Sequence, residues 1–516
     1  MSPRLTRRHL LAAGCSTIAA PWHAAHAAQA SAAGGHRLLA GTRTLDVNGR
    51  AAVVFGLTAG NGQAGLSLAP GERFRVDLTN GLDKHTIIHW HGQLPAWTQD
   101  GFPWPQTPPL APGVTRSYDY APIPGTYWMH SHDGLQEQSL MTAPLIVHTA
   151  AELREDRQEI VLMLHDFSFR TPDELLSGLT GTKPSAVHDM VRQSENVAAP
   201  AMHMSMPGAV PMHRMASGGM AGMTGMAGMA SGAMGRGHAM DAMTMDTNDI
   251  DYDDFLANDR TLSDPAVVRV GRGGRVRLRV INGSSSSQFW IDLGALVGRI
   301  VAVDGHPVYP VGGSRFPLAI AQRMDIFVDL PPSGAFPVLA RLEGSRRRTG
   351  IVLATPGARI PKIGVTGRDR IPPIDNALEM RLAAIRPLMP RKPGLMHRIA
   401  LSGAMKPYRW ALNGEYWPHV TPLMLQAGQR VEIELVNRSS MAHPMHLHGH
   451  AFQVIGINGR TVNGAVRDTV LVTPRPGRVR IAFDADNPGR WPFHCHNLYH
   501  MATGMMTEFR YRGIAV

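Results

Sequence analysis

The stretch Arg73-Phe-Arg-Val-Asp-Leu-Thr-Asn80 alternates polar and apolar residues, and related versions of it occur twice more along the chain. These are Arg275-Val-Arg-Leu-Arg-Val-Ile-Asn282 and Arg430-Val-Glu-Ile-Glu-Leu-Val-Asn437. Such alternation is typical of a half-buried strand, and each version follows a Gly-containing turn. Three versions this far apart indicate three copies of one domain rather than a solenoid.

The sequence around these stretches predicts an all-β chain. Its 516 residues include 54 Gly and 39 Pro, which separate many short β-like segments, and amphipathic helices are scarce. We therefore expect antiparallel β-sandwiches in each copy. With 44% hydrophobic residues the chain can bury the cores of about three domains.

The formal net charge of +11 could suggest a nucleic-acid partner. The arginines are scattered, however, and no basic stripe with interleaved aromatic residues is present, so we expect no nucleic acid to bind. No stretch after the N-terminal segment is long and apolar enough to span a membrane. We take a monomer as the working expectation.

The N-terminal segment resembles an export signal. Thr6-Arg7-Arg8-His9-Leu10-Leu11 has the twin-arginine form, and Ala25-His26-Ala27 is a plausible cleavage site. The alternative is a disordered Ala-rich tail. We predict a signal peptide at 1–27 and twin-arginine export to the periplasm. Cys15 lies in this signal, so the mature chain has Cys495 alone and can form no internal disulfide.

Histidine pairs recur at matched positions in the first and third copies. The four pairs are His89-Trp90-His91, His130-Ser131-His132, His446-Leu447-His448 and His494-Cys495-His496. Two begin nine residues after Asn80 and Asn437, and two begin five residues after Gly125 and Gly489. The corresponding positions of the middle copy hold Ile291, Leu293, Leu339 and Arg341, which indicates a spacer that kept the fold.

Side chains two residues apart on a strand share a face, so each pair aims two imidazoles at one point. Imidazole suits copper, and eight histidines could supply three ions with two or three nitrogens each. The alternative is a set of surface or core histidines. The simplest geometry packs the first and third domains together, with the cluster between them.

A second site follows from the same strand geometry. Cys495 lies between His494 and His496 and therefore points to the opposite face. His443 is an odd number of residues from His446, and His500 and Met505 follow Cys495 closely. Two His, one Cys and an axial Met form a trigonal blue-copper site. The backbone from Cys495 then leads to histidines of the cluster in both directions, which gives an electron route.

Four motifs resemble those of the three-domain multicopper oxidases. They are His89-Trp-His-Gly, His130-Ser-His, His443-Pro-Met-His-Leu-His-Gly and His494-Cys-His-Asn-Leu-Tyr-His-Met-Ala-Thr-Gly-Met505. The resemblance implies three cupredoxin-like Greek-key domains, which we place at 36–150, 151–360 and 375–516. It also implies four copper ions, namely one type 1, one type 2 and two type 3.

The resemblance assigns the ligands motif by motif. Type 1 copper would take His443, Cys495, His500 and Met505, and type 2 copper would take His89 and His446. The type 3 pair would take His91, His130, His132, His448, His494 and His496.

Within the family the chain looks most like the periplasmic copper-resistance oxidases. His130-Ser-His-Asp-Gly-Leu-Gln-Glu-Gln, Asn258-Asp-Arg-Thr-Leu and Asn497-Leu-Tyr-His-Met carry this similarity. Related enzymes use an acidic residue to deliver protons to the cluster, and Asp100 matches one such position. The alternative is a turn residue before Gly101. Some members have a second acid directly after the last type 1 His, where this chain has Met501.

Between Met202 and Met245 lie 13 of the 29 methionines, among Gly, Ala, Ser and a few His residues. The segment 202–245 has no strand or helix periodicity and reads as an insertion in the middle domain. Thioethers are soft ligands that select Cu(I), so we expect the segment to capture extra Cu(I). The alternative is a low-complexity linker.

The leading hypothesis is therefore an oxidase that passes electrons from Cu(I) to O2 in copper resistance. The main alternative is a laccase-like oxidase of phenols or aromatic amines, that is, of a small organic reductant. A non-catalytic copper store belongs to a different class and would not need a Cys between two cluster histidines. A nitrite reductase is disfavoured because four His pairs supply a three-copper cluster.

Overall fold

The computed structural model describes residues 35–185 and 247–514. The predicted signal peptide and the methionine-rich segment 202–245 lie outside these ranges. Within them the chain forms six β-sheets, arranged as three successive pairs, and three short α-helices. The prediction of an all-β chain is confirmed. No helix in the described ranges has the length and apolar character that a membrane crossing requires.

The first pair of sheets contains eight strands. They are β1 (His36–Val47), β2 (Arg50–Ala59), β3 (Leu66–Leu68), β4 (Phe74–Asn80), β5 (Ile88–His91), β6 (Thr115–Tyr120), β7 (Gly125–Ser131) and β8 (Thr142–Val147). One sheet has the order β2-β1-β4-β6 and the other β3-β8-β7-β5. Apolar side chains of both sheets, such as Leu78 and Met129, share one core. We call this unit the first sandwich.

The second pair, the middle sandwich, has one short helix before its first strand and another after it. The helices are α1 (Ala150–Arg154) and α2 (Pro172–Thr180), and each begins with a threonine capping box. The strands are β9 (Gln158–Phe167), β10 (Asp254–Ala257), β11 (Val267–Arg269), β12 (Arg275–Asn282), β13 (Phe289–Asp292), β14 (Gly298–Val303), β15 (His306–Gly313), β16 (Arg315–Leu318), β17 (Arg323–Asp329), β18 (Ala335–Leu342) and β19 (Arg348–Ala354). The sheet orders are β10-β9-β12-β17-β14-β15 and β11-β19-β18-β13-β16.

The third sandwich ends the chain. Its strands are β20 (Leu395–Met405), β21 (Tyr408–Leu412), β22 (Leu423–Leu425), β23 (Arg430–Asn437), β24 (His443–Leu447), β25 (Phe452–Ile457), β26 (Arg460–Thr461), β27 (Val466–Arg467), β28 (Thr469–Val472), β29 (Arg478–Asp484), β30 (Arg490–Cys495) and β31 (Met506–Tyr511). One sheet has the order β21-β20-β23-β29-β25-β26, with β27 also paired to β25, and the other β22-β31-β30-β24-β28. Helix α3 (Leu498–Ala502) joins β30 to β31.

One strand pair in each sheet is parallel, so the expectation of purely antiparallel sheets is wrong at these places. The pairs are β1 with β4, β3 with β8, β9 with β12, β11 with β19, β20 with β23 and β22 with β31. A parallel pair requires a crossover connection between its strands. Here the chain crosses to the other strands of the sandwich before it returns, which a local hydrophobic pattern does not reveal.

The three repeat stretches form the equivalent strands β4, β12 and β23, and their final asparagines explain the repeat. Asn80, Asn282 and Asn437 are all buried, and each Nδ2 donates to one backbone carbonyl of the loop beyond the strand and to at least one carbonyl of a more distant segment. Each Oδ1 accepts from the backbone N–H two residues later. The asparagine therefore fixes the loop that leads into β5, β13 or β24.

The first and third sandwiches contact each other directly. Phe102 and Trp104 of the first pack with Trp417 and Met506 of the third in one buried cluster. The guanidinium of Arg490 lies over the Trp104 ring, 4.0 Å from its centroid. The expected packing of the two histidine-bearing units is therefore present.

Candidate metal centre

The four histidine pairs meet where the first and third sandwiches face each other. In the first, β5 and β7 are antiparallel neighbours, and His89 lies opposite His130. In the third, His446 of β24 lies opposite His494 of β30. These two strand pairs place the eight side chains at one buried junction.

Imidazoles from the two sandwiches stack on each other across this junction. The ring centroids of His89 and His448 are 3.8 Å apart, as are those of His91 and His446. All four side chains are buried. The eight histidines therefore form one cluster, which we call the histidine cluster.

Hydrogen bonds fix the tautomers of these rings. The outer nitrogen of each of six rings faces a carbonyl or carboxylate oxygen, which can only accept. The pairs are His89 Nδ1 with Asp100 O at 2.8 Å, His446 Nδ1 with Asp468 O at 2.9 Å, His494 Nδ1 with Cys495 O at 3.0 Å, His448 Nδ1 with Asp100 Oδ2 at 2.7 Å, His130 Nδ1 with Ser131 O at 3.2 Å and His91 Nε2 with Asp468 Oδ1 at 3.0 Å. In the neutral rings the other nitrogen then presents a lone pair to the interior.

The inner nitrogens face one another at distances that fit a shared cation. His448 Nε2 and His494 Nε2 are 3.1 Å apart, and His91 Nδ1 and His130 Nε2 are 3.3 Å apart. Two lone pairs at such distances repel each other unless a positive ion lies between them. Nε2 of His89 and of His446 is buried with no hydrogen-bond partner in the described ranges. The cluster therefore fits several copper ions.

The histidine cluster is also held in the protonation state that metals bind. Burial, followed by the neighbouring imidazoles, lowers the pKa values of six rings well below their ordinary value, namely His91, His130, His132, His446, His448 and His496. Burial lowers the pKa of His494 to about 4. Neutral imidazole is the form that ligates copper.

A second donor group lies on the other face of β30. Sγ of Cys495 is 3.7 Å from Nδ1 of His443 and 3.6 Å from Nδ1 of His500, and those two nitrogens are 3.1 Å apart. Met505 is fully buried, and its backbone bonds to the backbones of Cys495 and His500. Ser439 Oγ contacts the remaining nitrogen of His443 at 2.7 Å. The three donors form a triangle that fits one thiolate-bound copper.

Burial raises the pKa of the Cys495 thiol. Without a metal the group therefore stays a neutral thiol, and a bound metal ion would displace its proton. Because Cys495 is buried, reagents in the solvent reach its thiol poorly. Its environment suits a metal ligand better than a reactive surface cysteine.

Asp100 lies beside the histidine cluster, as its predicted role requires. Its Oδ2 accepts from His448, and its Oδ1 is 3.3 Å from His89 Nδ1. Gly101 has φ +83° and passes close to β5, where an added Cβ would lie 1.8 Å from the Ile88 carbonyl oxygen. A glycine is therefore needed directly after Asp100 to bring the loop onto the strand.

Three acidic residues beside the histidine cluster or beside the second donor group were not predicted from the sequence. Glu137 contacts His130, Asp468 contacts His91, and Asp249 contacts His500 Nε2 at 3.1 Å. Glu137 lies within the quoted His130 motif and could have been found there. Asp249 and Asp468 are far in sequence from the residues they contact, and no spacing rule points to them.

The structure thus brings the eleven predicted His and Cys ligands into two adjacent groups, and the backbone of Met505 bonds to two members of the second. His494 and His496 belong to the histidine cluster, and Cys495 between them belongs to the second group. At the equivalent positions of the middle sandwich, Ile291 and Leu293 are buried in its hydrophobic core, whereas Leu339 and Arg341 are partly exposed. The assignment of the residues to individual copper ions stays a prediction.

Comparisons with known proteins identify similar families and relatives of the chain. Three multicopper oxidase family models match residues 61–152, 221–355 and 390–513. Multicopper oxidase MmcO of Mycobacterium tuberculosis is 31% identical over 468 residues, which cover 89% of this chain and 84% of that protein. A copper resistance protein A homolog of Pseudomonas syringae pv. tomato is 25% identical, covering 92% of this chain and 91% of the relative.

Laccase-1 of Botryotinia fuckeliana is 23% identical, covering 85% of this chain and 75% of the relative. Among solved structures, Fet3p, a multicopper oxidase that functions in iron import, has a TM-score of 0.69 at 19% identity, covering 92% of this chain and 90% of that chain. The laccase from Botrytis aclada has a TM-score of 0.69 at 20% identity, covering 93% and 88%. These structures share the fold of successive cupredoxin-like sandwiches. The chain therefore belongs to the multicopper oxidase family.

Proposed function

We propose that this oxidoreductase oxidises Cu(I) to Cu(II) at a type 1 copper and reduces O2 to water at a trinuclear cluster, in the service of copper resistance. The arrangement of Cys495 between His494 and His496 is the observation that carries the proposal. It joins a one-electron site to a multi-electron site through a few backbone bonds.

We infer the copper assignment from the nitrogen contacts. His443, Cys495, His500 and Met505 would hold type 1 copper, and His89 and His446, whose Nε2 atoms have no partner in the described ranges, would hold type 2 copper. One type 3 ion would lie among His91, His130 and His496, and the other among His132, His448 and His494. When bound, the four ions supply one-electron transfer and the reduction of O2.

The chain's own residues prepare the site for this chemistry. The carbonyl and carboxylate partners orient the imidazoles, and burial keeps them neutral. We propose that Asp100, which contacts His448 and His89, is the group that supplies protons to the cluster. The aromatic cluster of Phe102, Trp104 and Trp417 covers this side of the junction and excludes bulk water.

Cu(I) as the substrate is supported by the relatives called copper resistance protein A and by the composition of 202–245. Thioethers select Cu(I) over harder ions. We propose that segment 202–245 binds extra Cu(I), that the enzyme acts as a monomer, and that the signal at 1–27 directs it to the periplasm by the twin-arginine route. The domain bounds 36–150, 151–360 and 375–516 belong to the same proposal.

Oxidation of phenols or aromatic amines is the second candidate, because the relatives also include laccases. The decisive experiment measures O2 consumption by the copper-loaded enzyme with Cu(I) or a phenol as sole reductant. A variant lacking 202–245 is compared with the full chain on both substrates. We expect the deletion to lower turnover of Cu(I) much more than turnover of the phenol.

Equal losses on both substrates would contradict copper capture by the segment. Turnover of the phenol without turnover of Cu(I) would favour the laccase alternative. A copper-loaded sample without blue absorption would instead indicate a copper store and overturn the proposal as a whole.

A further inference from the structure

Arg323, on β17 of the middle sandwich, is fully buried and bonds to groups from all three sandwiches. Its Nη1 and Nη2 donate to the two carboxylate oxygens of Asp468, at 2.8 and 2.5 Å. Its Nε donates to the carbonyl of Thr126, and Nη1 also donates to that of Ala321. Such a bidentate contact fixes the guanidinium and the carboxylate in one orientation.

Asp468 in turn contacts one ring of the histidine cluster. Its Oδ1 accepts from Nε2 of His91, and the hydroxyl of Thr469 donates to the same oxygen. Because the carboxylate can only accept, the proton of His91 stays on Nε2 and the lone pair stays on Nδ1. That lone pair faces His130 Nε2 at 3.3 Å.

We propose that Arg323 is a positioning residue of the trinuclear site, which fixes Asp468 and through it the tautomer and orientation of His91. The inference rests on the ligand set of the proposed function. The middle sandwich supplies no ligand, yet it supplies this support. A buried ion pair adds little net stability compared with well-packed apolar residues, so we assign the Arg323–Asp468 pair mainly a geometric role.

Arg279 is a matched control within the same sandwich. It is also fully buried and bonds to Asp325 and Glu159, but it contacts no predicted ligand. Replacing either arginine by Met removes a cationic partner from a buried carboxylate, Asp468 in one case and Asp325 in the other. Only the Arg323 variant should disturb the cluster in addition to lowering stability.

The test compares copper-loaded wild type, Arg323→Met and Arg279→Met during dialysis against EDTA. Copper content, the blue absorption and the electron paramagnetic resonance of type 2 copper are followed over time. We expect Arg323→Met to keep its blue absorption and to lose cluster copper about tenfold faster than wild type, the size typical of a lost outer partner. Arg279→Met should lose copper at the wild-type rate, although thermal unfolding shows it to be destabilised.

Equal rates of copper loss for both Met variants would overturn the inference. If Arg323→Met does not fold, Arg323→Lys is measured in its place, because lysine keeps the positive charge but cannot make the bidentate contact. A wild-type rate in Arg323→Lys would then overturn it. A wild-type protein with fewer than four coppers would contradict the proposed function instead.

Discussion

Oδ2 of Asp249 lies 3.1 Å from Nε2 of His500, and both side chains are fully buried. The same carboxylate accepts hydrogen bonds from Tyr408 and Asn497, each at 2.9 Å. The opposite nitrogen of His500 faces Cys495. A negative charge is therefore held directly behind one of the proposed type 1 ligands.

We expect Asp249→Asn to raise the reduction potential of type 1 copper. The carboxylate favours the more positive Cu(II) state, and the amide removes that preference while keeping an oxygen acceptor. Redox titration of the blue absorption measures the shift. Asp251→Asn is the control, because Asp251 lies two residues away with its side chain 99% exposed. An unchanged potential in Asp249→Asn would show that the charge does not reach the copper.

Cys495→Ser should abolish the blue absorption and nearly all turnover, because serine offers no thiolate. The cluster histidines are untouched, so the variant should still load copper at the trinuclear site. The control is Met445→Leu, a volume-conserving change at the residue opposite Cys495 in the β24–β30 pairing. Absorption and O2 consumption are measured on both. Substantial turnover in Cys495→Ser would contradict the electron route.

Asp100→Asn should slow O2 consumption at saturating reductant but leave anaerobic reduction of the type 1 copper unchanged. The amide can still accept from His448 but cannot supply protons. Asp83→Asn, at an exposed position of the same sandwich, is the control. Stopped-flow absorption separates the two steps. If Asp100→Asn reoxidised as fast as wild type, the proton would have to come from another group.

Glu343 should make the middle sandwich less stable as the pH rises. Burial raises the pKa of Glu343 to about 7, above its ordinary value near 4.5, so the folded chain favours the protonated acid. Between about pH 4.5 and 7 the unfolded chain loses this proton while the folded chain retains it, which should lower the free energy of unfolding by roughly 3 kcal/mol. The neighbouring Gln288 Oε1 has no partner in the described ranges.

Glu343→Gln should therefore be tolerated, since its amide can donate to Gln288 Oε1 after a flip of that side chain. Thermal unfolding of the metal-free proteins at pH 5 and pH 8 measures the difference. The variant should match wild type at pH 5 and exceed it at pH 8. Stability curves that stay parallel across this range would rule out Glu343 as the titrating group.

The donor residues could be found from the sequence because their geometry is local. A strand places His89 beside His91 and turns Cys495 away from His494 without any knowledge of distant contacts. The repeat aligned the equivalent positions of the three copies. It thereby identified Ile291 and Leu293 as the positions where the middle unit lacks ligands. Antiparallel pairing was overestimated because crossover connections leave no trace in a short hydrophobic pattern.

The supporting residues could not be found in this way. Asp249, Asp468 and Arg323 act across sandwiches, and their roles depend on which side chains the tertiary fold brings within about 3 Å. Nothing in the neighbourhood of Arg323 along the chain distinguishes it from the exposed arginines of this basic protein. Only the three-dimensional contacts identify the outer partners of the histidines.

The asparagine that closes β4, β12 and β23 is present whether or not the following strand carries histidines. Each unit therefore has the same fixed loop and the same two strand positions beyond it that can hold imidazoles. Metal binding can then be gained or lost by point substitution without rebuilding the scaffold. The three units of this chain thus differ in chemistry and share one architecture.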